Sequence, residues 1–215
     1  MKIKWLGHAC FLMTAASGLK VITDPYNRTN GVNYSPVNET ADVVTVSHDH
    51  FDHNAVSEVS GNPEVVKGDN PGVYKSVQFK CVNTYHDETE GSQRGENAVF
   101  CFVLDDIKTC HLGDLGHRLN KNQIDEIGAV DLLLIPVGGY FTIDAKVASE
   151  TCNDLKPRIV IPMHYKTSKL DFPVADVEDF LKLQKNVKRI DSSEIELNVK
   201  KMPMDPETVV LKSAL

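Results

Sequence analysis

The 215-residue chain is 41% hydrophobic and 25% charged, with 13 Gly and 10 Pro, ordinary usage for a folded protein that excludes disordered, collagen-like and coiled-coil classes. Thirty acidic residues against 23 basic ones leave a net charge of −7. The single dense basic stretch, Lys185 to Arg189, reads as the polar end of a helix, so no nucleic-acid partner is expected.

This length suits one domain spanning residues 1–215, which buries roughly 70% of its unfolded surface and needs no staple to fold. Lys2 and Lys4, followed by an apolar stretch to Ala15-Ala16-Ser17, have the outline of a short signal peptide. His8 interrupts that stretch and Val21 to Asp24 continues it as a hairpin partner, so it is expected to stay in the fold. Ile3–Leu6, Cys10–Thr14 and Lys20–Thr23 read as short strands, the last two joined at Ser17-Gly18. A loop rich in Asn, Pro and Gly runs from Pro25 to Thr40, and the β-branched strand Val43–Val46 ends in a histidine cluster.

Ser76–Val82, Ala98–Leu104 and Ile107–Leu112 continue as strands, and strand–helix alternation follows. Lys121–Ile127 reads as a helix, Leu132–Ile135 as a buried strand, and Asp144 as the cap of a helix reaching about Leu155. Arg158–Met163 is a second buried strand, Val174–Gln184 an amphipathic helix, and Glu194–Val199 and Thr208–Lys212 closing strands. The pattern predicts mixed sheets covered by helices, an α/β layered architecture. No run of eighteen apolar residues exists, so no membrane span is expected. The five cysteines are odd in number, lack a C-x-x-C pair and lie in apolar runs, which points to free thiols and a reducing, cytoplasmic compartment.

Ionisable residues fall at the C-terminal ends of the apolar strands: Asp24, His48, Asp114 and His164. Strand ends are where such sheets place their sites. The segment Ser47-His48-Asp49-His50-Phe51-Asp52-His53 is the strongest signal. In extended backbone His48 and His50 point to one side and can chelate one ion, while Asp52 and His53 can face a second. Imidazole with carboxylate suits zinc, manganese or iron. His86, Asp114 and His164 each follow an apolar strand and supply further ligand-capable groups.

Asp24, the H-x-H-x-D-H frame from His48 to His53, then His86, Asp114 and His164 resemble the five motifs of the metallo-β-lactamase fold superfamily. Trp5-Leu6-Gly7-His8, Gly113-Asp114, Pro136-Val137-Gly138-Gly139 and Ile161-Pro162-Met163-His164-Tyr165 look like its short metal-dependent hydrolase branch, related to ascorbate-6-phosphate lactonase. The resemblance implies a four-layer αββα sandwich of two mixed β-sheets flanked by helices, with two divalent metal ions per chain. It assigns His48, His50 and His86 to the first ion, Asp52, His53 and His164 to the second, and Asp114 to both. Asp24 would orient ligands from behind, and His8 would line the cleft.

The expected activity is hydrolysis of a small ester, lactone or phosphoester by a hydroxide bridging two ions, zinc first, with manganese or iron also compatible. Asp52 would orient that hydroxide and take its proton, and His111 or His8 would protonate the leaving group. Arg94, Asn97, Tyr140, Tyr165 and Lys166 are candidates for holding the substrate, Arg94 or Lys166 through a carboxylate or phosphate. The expected partner is a small molecule of anionic character, with a homo-oligomer as a general prior. The alternative is a module of the same fold that binds or senses metal without turnover.

Overall fold

A computed structural model describes the whole chain, Met1 to Leu215. The first sheet contains β1 (Lys2–Gly7), β2 (Cys10–Thr14), β3 (Lys20–Thr23), β4 (Val43–Val46), β5 (Glu64–Lys67) and β13 (Glu194–Glu196). Its order is β13-β1-β2-β3-β4-β5. The second contains β6 (Gly72–Tyr74), β7 (Val77–Tyr85), β8 (Glu96–Leu104), β9 (Ile107–His111), β10 (Leu132–Pro136), β11 (Ile159–Met163), β12 (Val187–Arg189) and β14 (Glu207–Val210). Its order is β12-β14-β11-β10-β9-β8-β7-β6. Both sheets are mixed, with antiparallel hairpins on one side and parallel neighbours on the other.

The alternation of side chains sorts the core. In β2, Phe11 and Met13 join the cluster between the sheets, whereas Cys10 and Leu12 join a second cluster on the outer face. Burial on both faces is why these strands read as continuous apolar runs. Tyr26, Val32, Tyr34 and Val37 of the long loop, with Leu170 and Val174, cover the outer face of the first sheet. That covering layer is loop and one turn of 3-10 helix, Val56–Glu58. The α-helices are α1 (Lys121–Ile127), α2 (Ala145–Leu155) and α3 (Glu178–Leu181), and their buried residues belong to the larger cluster. The Asn120 side chain and Gln123 form a capping box on α1, and Asp144 caps α2 through the Val147 N–H at 2.9 Å.

Four readings of the sequence change. The expected helix over 174–184 is α-helical only at Glu178–Leu181. Ala175 is bound on both sides, its N–H to Gly138 and its carbonyl to Lys166, which holds that stretch extended. Lys185 to Arg189 is not a helix end. Val187–Arg189 is an edge strand parallel to β14, and its exposed Lys188 and Arg189 discourage a further chain from pairing there. β5 and β6 are edge strands too short to read from their residues. The closing strands are Glu194–Glu196 and Glu207–Val210, with Val199–Lys201 a 3-10 turn.

Strand direction decides where the site falls. β1, β3 and β4 run one way in the first sheet, because β1 and β3 are each antiparallel to β2 and β4 is parallel to β3. In the second sheet β7 and β9 are each antiparallel to β8, and β10 and β11 are parallel to β9. The C-terminal ends of these seven strands therefore meet along one edge of the sandwich. Two backbone hydrogen bonds tie the sheets there: the Ala98 N–H to the Ser47 carbonyl at 2.9 Å, and the His164 N–H to the His8 carbonyl at 3.3 Å.

Candidate metal centre

Each strand end delivers one part of the site. His8 follows β1, Asp24 follows β3, Ser47 to His53 follow β4, His86 follows β7, Asp114 lies just past β9, and His164 follows β11. His8, Asp24 and His164 have φ of 54, 39 and 50°, left-handed backbone that is costly for residues with a Cβ and that recurs at functional sites. Each turn swings a polar side chain across the edge instead of along the strand. Gly113 carries the same conformation at φ 54°. A Cβ there would lie 2.4 Å from Asn97 Oδ1 and 2.6 Å from Ser47 Cβ, so glycine alone lets the Asp114 turn approach β4.

The centre of the site is Asp114 Oδ2. It lies 3.2 Å from Nε2 of His53, His86 and His164, and 3.9 Å from Nε2 of His48. Around it the ligand-capable atoms form two groups, His48, His50 and His86 on one side and Asp52, His53 and His164 with His8 on the other, and a third, Asp24 with His48 and His53, joins them from behind. Within each group these atoms lie within 4.8 Å of one another. Bonds of about 2.1 Å place the ligand atoms of one tetrahedral ion roughly 3.4 Å apart, the spacing seen around Asp114.

Burial and charge fit a cation. Asp24, Asp52 and Asp114 are all buried. Burial alone would raise each carboxyl, but the surrounding histidines hold all three below the usual carboxylate range. Burial, with a neighbouring histidine, pushes His48 down to about 3 and His8 to about 4, keeping them neutral, the form that binds metal. His53 is held well above the usual imidazole range: burial opposes its charge, but Asp114 and Asp52 outweigh it. His48 Nε2, His53 Nε2 and Asp114 Oδ1 are buried without a hydrogen-bond partner. Such orphaned groups are costly in a closed protein, and bound ions satisfy them. The donor set therefore fits bound metal.

Hydrogen bonds behind the ligands fix their tautomers. Asp24 Oδ2 accepts from His53 Nδ1 at 2.9 Å and from the Ser47 hydroxyl at 2.5 Å, and Asp24 Oδ1 accepts from the Ser47 N–H at 2.8 Å. With its proton committed to Asp24, Ser47 Oγ accepts from His48 Nδ1 at 2.8 Å. A cation that displaces the second proton of His53 would then find the lone pair of both rings on Nε2, facing Asp114. Ser47 was not singled out from the sequence, although it abuts the H-x-H frame.

Other candidates fall differently. His111 is fully buried, with Nε2 donating to the Ala9 carbonyl at 2.9 Å and Nδ1 accepting from the Gly113 N–H at 3.2 Å. Both nitrogens are engaged by backbone, so His111 braces the Asp114 turn and is not placed to protonate a leaving group. His8 is equally buried but faces the candidate ligands: its Nε2 lies 3.0 Å from Asp52 Oδ2 and its ring centroid 4.2 Å from that of His164. Asn97 is also structural, its Oδ1 accepting from the Asp114 N–H at 2.9 Å and its amide donating to Thr84 and Leu112. Tyr165 is buried against Trp5, with ring centroids 5.3 Å apart. Lys166 donates to the Phe172 carbonyl at 3.0 Å, and Tyr140 is exposed.

An open cleft of about 570 Å³ adjoins the first ligand group, lined in part by His48, His50, Lys67 and Arg94. Lys67 pairs with Asp49 at 2.7 Å. Arg94 makes no ion pair, and its guanidinium sits 5.6 Å from the centroid of Phe141. The loop carrying Arg94 is shaped by Asp87, whose carboxylate accepts from the N–H groups of Thr89, Gly91, Gln93 and Arg94 at 2.7–3.0 Å.

This combination of a two-sheet sandwich and a histidine–aspartate centre at one sheet edge defines a class of metal-dependent enzymes, and comparison with known proteins agrees. The family model described as "Beta-lactamase superfamily domain" matches residues 2–164. A UPF0173 metal-dependent hydrolase of Carboxydothermus hydrogenoformans is 34% identical, over 84% of this chain and 90% of its own. Another, from Thermoplasma acidophilum, is 31% identical over 84% and 89%. A crystal structure from Thermotoga maritima, assigned to the Zn-dependent hydrolases of the metallo-β-lactamase superfamily, superposes with a TM-score of 0.79 at 42% identity, covering 98% of this chain and 97% of its own. The chain belongs to the metallo-β-lactamase superfamily, among its metal-dependent hydrolases. No helix is long and apolar enough to cross a membrane.

Proposed function

We infer that this chain is a dinuclear hydrolase of small esters, lactones or phosphoesters that carry an anionic group. The observation that carries this reading is the position of Asp114 Oδ2, 3.2 Å from His86 in one ligand group and 3.2 Å from His53 and His164 in the other. A carboxylate so placed serves both groups at once.

His48, His50 and His86 would hold one divalent ion, zinc foremost, and Asp52, His53 and His164 the other, with Asp114 shared. Ions bound there supply a water nucleophile activated near neutral pH and a Lewis acid for the oxygen that gains charge. The remaining chemistry belongs to side chains. Asp52 accepts the proton of the attacking water through its carboxylate. His8, hydrogen-bonded to Asp52 Oδ2, takes that proton and returns it to the leaving group. Arg94, the unpaired cation of the cleft, binds a carboxylate or phosphate on the substrate. The apolar packing of Trp5, Tyr165 and Phe172 behind His8 and His164 keeps bulk water from that side of the centre.

Elemental analysis of chain purified without chelator, paired with a lactone and phosphodiester screen on the same sample, tests the reading. Close to two metals per chain, with turnover lost on chelation and restored by metal, is expected. Saturation at one metal per chain with full turnover would overturn the dinuclear assignment.

A further inference from the structure

Outside the metal centre, the structure places two thiols side by side. Cys101 of β8 and Cys110 of β9 are directly paired across the antiparallel ladder, and their sulfurs lie 3.8 Å apart in an S–H···S contact. The pair lies on the face of the second sheet turned away from the first. His111, next along β9, points the other way, to Phe11 and Ala9 between the sheets, and alternation puts Cys110 opposite. Lys80 shares that outer face, paired with Cys101, and reaches the Glu126 carbonyl at the end of α1.

The pair is reachable. Cys110 is buried and Cys101 half-buried, and both line a surface cavity of about 340 Å³ with Lys80, Lys108 and Val130. Its apolar floor and lysine rim admit a small oxidant and favour a thiolate. The Cys110 thiol beside it draws Cys101 below the usual thiol range against the effect of burial, with Lys80 assisting, while Cys110 is pushed up. Reactivity follows the thiolate and its access, which makes Cys101 the attacking sulfur. The other thiols cannot compete. Cys81 pairs with Phe100 and faces the opposite side of the sheet, and Cys10 and Cys152 are buried on other elements.

We propose that Cys101 and Cys110 are a reversible oxidation site that closes into an intrachain disulfide when the chain meets hydrogen peroxide. The Cys101 thiolate attacks one peroxide oxygen. The S–O bond forms, the O–O bond breaks, and the departing hydroxide takes a proton to leave as water. Cys110 then attacks the Cys101 sulfur, the S–S bond forms, and the hydroxyl of the sulfenic acid leaves as a second water with the Cys110 proton. Two thiols are oxidised and one peroxide is reduced. The sulfurs must close from 3.8 Å to about 2.05 Å, which side-chain rotation achieves between paired β positions whose Cα spacing suits a disulfide. Two small apolar fillers at this position would pack equally well but would not react.

The test uses the full chain with its metal bound, treated with hydrogen peroxide and assayed by thiol titration and by peptide mass spectrometry without reduction. Titratable thiols under denaturing conditions fall from five to three, given five free cysteines at the start. A peptide pair joining Cys101 to Cys110 appears, and a dithiol reductant restores all five. Cys110→Ser leaves Cys101 as a sulfenic acid captured by dimedone, and Cys81→Ser behaves as the parent. Should a serine variant fold poorly, the unmodified chain decides by alkylation in the native state: Cys101 is labelled before peroxide and protected after it. Persistence of all five thiols under peroxide that oxidises free cysteine, or a crosslink between two chains in place of the internal one, would overturn the proposal.

Discussion

Asp24 and His53 are joined by a fully buried hydrogen bond, Oδ2 to Nδ1 at 2.9 Å, and the same oxygen holds the Ser47 hydroxyl that in turn receives His48 Nδ1. One carboxylate thereby sets the tautomer of a metal-capable histidine in each of the two groups. Such partners typically contribute 10–100-fold in metal affinity. Asp24→Asn should weaken metal binding by about that factor, read as the free-metal concentration at half-saturation in a competition titration with a chromogenic chelator. Unchanged affinity would mean that the ligand geometry holds without Asp24.

His8 and His111 separate a proton path from a brace. His8→Asn should lower kcat by roughly 10²-fold or more while metal content stays at the parent value, since His8 touches Asp52 and is not needed to complete either group. His111→Ala should leave chemistry largely intact and cost about 1–3 kcal/mol of stability, because it strands the buried Gly113 N–H and leaves the Ala9 carbonyl with the Thr23 hydroxyl alone. Kinetics and denaturant unfolding on the two variants check both expectations. A large kcat loss in a well-folded His111→Ala variant would restore His111 to the chemistry.

Arg94 should act on substrate charge alone. Arg94→Met retains the packing over Phe141 and removes the cation. It should raise KM roughly 10- to 100-fold for an ester or lactone bearing a carboxylate or phosphate, in line with ~1.5–3 kcal/mol for a charged hydrogen bond. A neutral analogue of the same size should be hydrolysed as before. Equal effects on both substrates would assign Arg94 to the loop and not to recognition.

Asp87 gives a pH signature. Burial alone would raise its carboxyl, but the backbone N–H of Arg94 and the Thr89 hydroxyl and N–H hold it below the usual range. A carboxyl depressed by folding contributes stability that is fully present above its unfolded value, near 3.9, and is lost as pH falls through the folded value. Amide exchange in residues 88–94 should therefore stay slow down to about pH 4 and quicken below it. Asp87→Asn should exchange fast at every pH and lack that acid transition. Parallel pH profiles in parent and variant would show that the carboxylate charge does not hold the loop.

The sequence by itself determined the strand cores and the inventory of metal-capable side chains at their ends. Leu132 to Ile135 and Ile159 to Met163 are apolar on both faces, the second rich in β-branched residues, and read as buried strands, and His48 to His53 is too dense in metal-capable side chains to be an ordinary loop. Caps at Asn120 and Asp144 are local, made within three residues, so helix starts follow from neighbouring residues. The tertiary structure decided everything that depends on contacts distant along the chain. β7 brings His86 to the shared edge because two antiparallel steps separate it from β9, a count that no local pattern encodes. Val174 to Val177 follow an apolar helical spacing, yet Gly138 and Lys166 take the backbone of Ala175. His111 and His8 look alike as histidines at strand ends. Only the fold puts one against backbone and the other against Asp52, since hydrogen-bond partners are chosen by packing and not by sequence neighbours.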